Sequence, residues 1–170
     1  MLYLHAGNLF NAQSTFSLAQ CISRDTNVGM FRGISVSFLE KYPELETLRS
    51  TNVTLGTAEP VKVGKIFIYN LITKPTFRSK PLLPTLKSAL ISMREHATTH
   101  GVADIAAPLL GCGCDKLQFE NDVYPILKDI FGTHHINLYV YSLHGFQEHS
   151  QVTRYYSCIF ENLNPLLLIL

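Results

Sequence analysis

The segment VADIAAPLLGCGCD (102–115) places an apolar run directly before a loop that contains two glycines. The run VADIAAP (102–108) predicts a buried strand. After the loop, LQFENDVYPILKDIF (117–131) predicts a helix with a kink at Pro125. A strand, a loop and a helix in this order form the repeating unit of α/β proteins, so this segment suggests the fold class.

The same alternation continues through the rest of the chain. Further strands are predicted for LYLHA (2–6), SLAQCIS (17–23), KIFIYNLIT (65–73) and INLYVYSL (136–143). Helices are predicted for ISVSFLEKY (34–42), PELETLRS (43–50) and the amphipathic stretch from Leu82 to Thr99, which Gly101 is placed to end. The pattern predicts an α/β fold with a mainly parallel or mixed sheet covered by helices on both faces.

Length and composition restrict the class of protein. The 170 residues fit one domain with a short extension, and we expect a domain over 1–143 and an extension of unknown role over 144–170. A formal net charge of +1 gives no basic field for unspecific nucleic-acid binding. Four cysteines are too few and too unevenly spaced for a disulfide framework, and the N-terminus does not have the pattern of a secretory signal. We therefore expect a soluble intracellular protein, cytoplasmic or nuclear.

Three loops follow predicted strands at the sheet edge where α/β proteins bind ligands: SRDTNVGMFRG (23–33), TKPTFRSKP (73–81) and LLGCGCD (109–115). The first and third contain glycines and lead into helices, which suits backbone N–H donation to phosphate oxygens. The Gly-x-Gly at 111–113 lacks the GK[ST] of a P-loop, and a plain tight turn explains it equally well.

Cys112 and Cys114 do not form a recognisable metal or redox motif. Structural zinc sites use four ligands with wider C-x₂₋₄-C spacing, and redox pairs favour C-x-x-C. We interpret both cysteines as small residues that flank a glycine where a ligand approaches closely, and we expect no metal.

Lys74 and Asp115 carry the reactive groups among these loops. Lys74 directly follows an apolar strand, where a free amine could attack a carbonyl carbon to form a Schiff base. Asp115 could act as a general acid or base. Taken one at a time, a solvated strand-end lysine and a helix N-cap explain them at least as well.

Several segments together resemble the macrodomain family, and within it the branch of terminal ADP-ribose protein glycohydrolases. They occur in the family's order over residues 2–143: GNLF (7–10), SLAQCIS (17–23), GISVSF (33–38), YNLITK (69–74), GVADIAAP (101–108), GCGCDKLQFEN (111–121) and VYSL (140–143). The combination of LITK with GCGxD-x-LQ-[aromatic]-EN is specific to this branch.

The resemblance implies a three-layer α/β/α macrodomain around a mixed, mainly parallel sheet. It places the nucleophilic lysine on Lys74 and the catalytic aspartate on Asp115. The implied function is a hydrolase that removes mono-ADP-ribose from glutamate or aspartate side chains, as a monomer without cofactor or metal. Related macrodomains act on ADP-ribosylated DNA bases or O-acetyl-ADP-ribose, and others only bind ADP-ribose, so these alternatives stay open.

The resemblance also implies which residues contact ADP-ribose. They are Asn8, Leu9, Gln20, Cys21, Ile22, Ser23, Gly29, Gly33, Ile34, Thr73, Pro108, Leu109, Leu110, Gly111, Cys112, Gly113, Cys114 and Tyr141. The loop from Leu110 to Cys114 would hold the diphosphate, and Tyr141 would stand near the adenosine. Macrodomains usually have aspartate at the position of Asn8, where the carboxylate accepts from the adenine amino group. The first glycine loop is longer than in the family and carries Phe31 and Arg32, which would reshape the leaving-group side.

Overall fold

The computed structural model describes residues 1–26 and 33–146. The predictions that concern Gly29, Phe31 and Arg32, and those for residues 147–170, lie outside the described residues. The division of the chain near residue 143 therefore stays a prediction.

The described chain contains six strands and three α-helices. The strands are β1 (Leu2–Ala6), β2 (Ser17–Ser23), β3 (Ala58–Val63), β4 (Ile66–Lys74), β5 (Asp104–Pro108) and β6 (Asn137–Ser142), and the helices are α1 (Ile34–Lys41), α2 (Leu83–Thr99) and α3 (Tyr124–Phe131). Two 3-10 segments, Leu9–Asn11 and Pro43–Ser50, and one π-helical segment, Phe119–Val123, complete the regular structure. Among the described residues, no helix is long and apolar enough to cross a membrane.

The strands form one sheet in the order β1-β6-β5-β2-β4-β3. All neighbouring strands are parallel except β3, which runs antiparallel to β4. The predicted α/β class with a mixed, mainly parallel sheet is thereby confirmed.

Strand β3 was not predicted from the sequence. Its residues AEPVKV alternate poorly and include Pro60, a residue that central strands exclude. β3 lies at the edge of the sheet, where one side of the strand needs no ladder partner and proline is tolerated. Edge position, which depends on tertiary structure, explains the missed strand.

The side chains of β4 show how the sheet divides two cores. Ile68 and Ile72 pack on the side covered by α1 and the 3-10 segment Pro43–Ser50. Tyr69 and Leu71 point to the opposite side, which α2 and α3 cover. All four side chains are fully buried. The alternation along a central strand thus builds the three layers that the resemblance implied.

The helix predicted over 117–131 is divided in two. The π-helical segment Phe119–Val123 comes first, and Pro125 lies in the first turn of α3 rather than at a kink inside a continuous helix. Proline lacks an N–H group, so the first turn, where that group has no helical partner, is its favoured place.

Candidate active site

A cleft of about 890 Å³ opens at the carboxyl ends of the parallel strands. Its walls come from segments 7–10, 21–23, 33–35, 108–115 and 141–144, together with Ser37, Lys74, Phe77 and Arg78. The volume is within the range of small-molecule sites. The parallel arrangement brings these segments together, because the carboxyl ends of β1, β2, β4, β5 and β6 share one edge of the sheet.

Lys74 and Asp115 form an ion pair in this cleft. The Lys74 ammonium donates to Asp115 Oδ1, and the two side chains are only 11% and 10% exposed. The residues are 41 positions apart in the chain. The tertiary structure therefore joins two groups that the sequence could only present separately.

The backbone around Lys74 holds the amine in place. The carbonyl of Lys74 accepts from the Arg24 N–H at 2.9 Å, which ties the end of β4 to the chain that leaves β2. The ammonium also donates to the Phe77 carbonyl at 3.4 Å. Lys74 is 9% exposed, so the solvated strand-end alternative is wrong.

Asp115 does not cap the helix that follows it. The helical segment begins at Phe119, and the backbone N–H of Gln118 donates to Asp122 Oδ2 at 2.8 Å. The Asp115 carboxylate instead accepts from Lys74. The geometry thus argues against the N-cap alternative, and the acid–base role stays a prediction.

The glycine loop between β5 and Asp115 requires Gly111. This residue has φ +71°, and a Cβ atom there would lie 2.7 Å from Leu117 Cδ1. The loop is closed by backbone bonds from the Leu117 N–H to the Gly111 carbonyl at 3.0 Å and from the Lys116 N–H to the Gly113 carbonyl at 3.1 Å. A Cβ on Gly113 would meet no atom within 4 Å, so a ligand can approach the backbone closely there.

Three consecutive amides of this loop are free to bind an anion. Within the part of the chain that the structure describes, no hydrogen bond is donated by the backbone N–H of Gly113, Cys114 or Asp115. All three residues line the cleft. Unpaired amides in a row form the kind of concave site that holds phosphate oxygens. This arrangement favours an anion site over a plain tight turn.

Two thiols near the loop, those of Cys21 and Cys112, are poorly suited to act as nucleophiles. Burial, with smaller contributions from Asp115 and Cys112, raises the pKa of Cys21 to about 12. Burial, followed by Asp122 and Asp115, likewise raises the pKa of Cys112 to about 12. Because only a thiolate is strongly nucleophilic, these groups stay inert at neutral pH. No group of three or more metal-ligating side chains occurs among residues 1–26 and 33–146.

Most of the residues expected to contact ADP-ribose line the cleft. These are Asn8, Leu9, Cys21, Ile22, Ser23, Gly33, Ile34, Pro108, Leu109, Leu110, Gly111, Cys112, Gly113, Cys114 and Tyr141. Their contacts with a ligand stay predictions, and Gly29 lies outside the described residues.

Gln20 and Thr73 do not line the cleft. Gln20 lies within β2, where its Nε2 donates to the buried Asn70 Oδ1 at 2.8 Å. Thr73 is 1% exposed and its hydroxyl lies 3.5 Å from the Ile22 carbonyl. Successive side chains of a strand point to opposite faces, so Thr73 faces away from the site that Lys74 enters.

Asn8 is oriented by a local hydrogen bond. Its Oδ1 accepts from the Phe10 N–H at 3.0 Å and caps the 3-10 segment that follows. The amide oxygen therefore faces Phe10, and the Nδ2 donor is also open to a ligand. The contact of Asn8 with adenine stays a prediction.

The sequence analysis missed nine cleft residues: Gly7, Phe10, Ser35, Ser37, Phe77, Arg78, Ser142, Leu143 and His144. Phe77 and Arg78 belong to the loop after Lys74, and their closeness to Lys74 in the sequence could have identified them. The others enter because α1 and the chain after β1 and β6 turn toward the cleft, which no local pattern predicts.

The sequence is similar to known proteins over most of its length, although no family model matches it. The ADP-ribose glycohydrolase OARD1 of Homo sapiens and that of Bos taurus are each 36% identical over 137 residues, which is 81% of this chain and 88% of the relative.

Solved structures with the same fold support this relation. The macrodomain of Mycobacterium tuberculosis DarG has a TM-score of 0.74 and 26% identity, covering 83% of this chain and 97% of that chain. Thermosipho africanus DarTG, solved in complex with ADP-ribose, has a TM-score of 0.73 over 86% of this chain and 43% of its own. At 18% identity it supports the fold alone. With the OARD1 identity and the shared fold, the chain belongs to the macrodomain family, as a relative of the ADP-ribose glycohydrolases.

Proposed function

We propose that this protein is an ADP-ribosyl hydrolase that releases mono-ADP-ribose from glutamate or aspartate side chains of proteins. Lys74 is the nucleophile and Asp115 the acid–base group. The observation that carries the proposal is their ion pair, nearly enclosed in a cleft whose loop offers three backbone amides that donate to no other described residue. A protein that only bound ADP-ribose would need the amides but not the pair. The 36% identity to an ADP-ribose glycohydrolase supports the same activity.

The shape of ADP-ribose determines its orientation in the cleft. ADP-ribose carries its diphosphate between two riboses, and the diphosphate suits the amides of Gly113, Cys114 and Asp115. Placing the distal ribose beside Lys74 leaves the adenosine for the other end, near Asn8 and Tyr141. Holding the diphosphate thus brings C1″ of the distal ribose within reach of the amine, which reduces the entropic cost of the attack.

The reaction then follows from the two groups. Asp115 takes a proton from the Lys74 ammonium, and the free amine bonds to C1″ of the distal ribose. The C1″–oxygen bond breaks, and its electron pair leaves with the carboxylate of the protein side chain. Water then adds to C1″ as the carbon–nitrogen bond breaks, and ADP-ribose is released with the lysine restored. Asp115 transfers protons both in the attack by Lys74 and in the hydrolysis by water. The residues present require no metal or cofactor for this sequence.

The decisive experiment measures release of ADP-ribose from a glutamate-linked mono-ADP-ribosyl peptide. We expect Lys74→Ala to slow release by about 10³-fold or more, while the affinity for ADP-ribose, measured by calorimetry, changes little. Lys62→Ala, which removes an exposed lysine on β3 far from the cleft, is the matched control and should keep the wild-type rate. Full activity in Lys74→Ala would exclude the lysine mechanism. Tight binding of ADP-ribose by the wild type without any product would identify a protein that only binds ADP-ribose.

A further inference from the structure

The loop after β4 presents two side chains to the cleft that the proposed reaction does not use. Phe77 and Arg78 both line the cleft, on the same side as Lys74. The peptide that joins them lies against the nucleophile, because the Phe77 carbonyl accepts from the Lys74 ammonium at 3.4 Å. Arg78 therefore leaves the chain directly beside the reacting end of the cleft.

The loop is held in a defined shape. The Phe77 N–H donates to Asp25 Oδ2 at 3.2 Å, so both polar groups of the Phe77 backbone are bonded to neighbouring segments. The hydroxyls of Thr76 and Ser79 lie 2.7 Å apart, and the Ser79 N–H donates to the Thr76 carbonyl at 3.0 Å, which closes a turn. Because these hydrogen bonds hold the loop, the backbone of Arg78 has a defined position.

Charge distinguishes Arg78 from the other residues of this wall. The described side chains that line the cleft include three with a full charge: Lys74, Asp115 and Arg78. The first two are paired with each other. No carboxylate of the described residues lies within salt-bridge distance of Arg78, whose guanidinium stands 5.2 Å from the centre of the Phe77 ring. The reacting end of the cleft thus has one positive charge without a counter-charge.

We propose that Arg78 is a specificity-determining residue that receives the carboxylate of the leaving group. The proposal rests on the proposed function, and it identifies the carboxylate of the leaving group as the substrate feature that this site selects. When the C1″–oxygen bond breaks, its electron pair passes to the leaving carboxylate, which gains a full negative charge beside Arg78. A guanidinium can donate two parallel N–H bonds to the two carboxylate oxygens. The diphosphate does not compete for Arg78, because the backbone amides of the glycine loop serve it.

The test compares leaving groups rather than total activity. Wild-type protein, Arg78→Gln and Arg78→Lys are assayed on a glutamate-linked ADP-ribosyl peptide and on ADP-ribose linked to the base of a thymidine oligonucleotide, whose leaving group has no carboxylate. We expect Arg78→Gln to lower kcat/KM on the glutamate-linked substrate about tenfold or more, the scale of a lost hydrogen bond to a charged group. Arg78→Lys should fall between. Any turnover of the oligonucleotide, and the affinity for free ADP-ribose, should change less than about twofold.

Lys80→Gln is the matched control, since it removes a cation from the same loop that does not line the cleft. Its rates should equal those of the wild type. If Arg78→Gln keeps the full rate on the glutamate-linked peptide, or loses the same factor on both substrates, the assignment of Arg78 to the leaving carboxylate is wrong while the proposed function stands. If the wild type cleaves only the oligonucleotide, or neither substrate, both proposals fail.

Discussion

The two ends of the cleft differ in charge, and in the proposed function this difference separates reaction from recognition. The reacting end holds Lys74, Asp115 and Arg78. The opposite end is lined by Asn8 and Tyr141, which carry no charge. The glycine loop lies between them and offers backbone amides. In the proposed binding mode, charged side chains act on the bond that breaks, while neutral groups and the backbone hold the rest of the substrate.

Burial favours the uncharged forms of two stacked rings at this end, those of Tyr141 and His5. Tyr141 stacks on His5 with ring centres 5.2 Å apart. Burial raises the pKa of Tyr141 and lowers the pKa of His5, and both directions favour the uncharged form. The pKa of His5 therefore lies below its ordinary value near 6.5, and neither of the two rings carries a charge at pH 7.

Asp115→Asn should produce the largest effect in this comparison, because it alters only the charged end. The amide keeps the shape of the carboxylate but cannot take the proton from Lys74. We expect kcat to fall about 10³-fold, as for removal of a general acid–base group, with ADP-ribose affinity within a few-fold of wild type. Single-turnover release and calorimetry measure the two quantities, and a thermal melt shows that the variant is folded. A loss in affinity equal to the loss in rate would mean that the two ends are not separate.

Tyr141→Ala tests the neutral end. The half-buried ring lines the cleft, and its removal takes away aromatic surface and the stacking with His5. We expect ADP-ribose to bind about tenfold more weakly, with kcat at saturation unchanged. Titration of ligand and saturation kinetics check both expectations. A drop in kcat without a change in affinity would place Tyr141 in the reaction rather than in recognition.

Asn8→Asp should give the smallest effect and a gain rather than a loss. One carboxylate oxygen would keep the bond to the Phe10 N–H, and the second would replace the Nδ2 donor with an acceptor for the adenine amino group. We expect ADP-ribose to bind about fivefold more tightly, from about 1 kcal/mol of charge-assisted hydrogen bonding. Asn11→Asp, outside the cleft, controls for the added negative charge. Unchanged or weaker binding in Asn8→Asp would mean that adenine does not contact this position.

Much of the fold could be predicted, because the decisive elements are buried. The apolar patterns of β4 and β5 and the amphipathic period of α2 reflect burial that every α/β fold imposes. Edge strand β3 could not be predicted, because an edge strand tolerates Pro60 and has weak alternation. The start of α3 was missed for a related reason, since Pro125 either kinks or begins a helix depending on what precedes it.

Site residues that belong to a recognisable sequence motif could be predicted, and those outside such motifs could not. Lys74 and the glycine loop each have a recognisable local pattern. Gln20 and Thr73 sit in matching segments but point away from the cleft, since the direction of a strand side chain depends on register and face. Arg78 belongs to no motif, and only its place on the cleft wall makes it a candidate.

The sequence by itself determined the fold class and the strand and helix order around the glycine loop, because these follow from local periodicity, a property of neighbouring residues. Its resemblance to the macrodomain family predicted Lys74 and Asp115 as the reactive groups. Only the tertiary structure decided that Lys74 and Asp115 form one buried pair, that three loop amides have no partner among residues 1–26 and 33–146, and that Asn8 turns its oxygen to Phe10. Those outcomes depend on contacts between distant segments, which the parallel sheet brings to one edge.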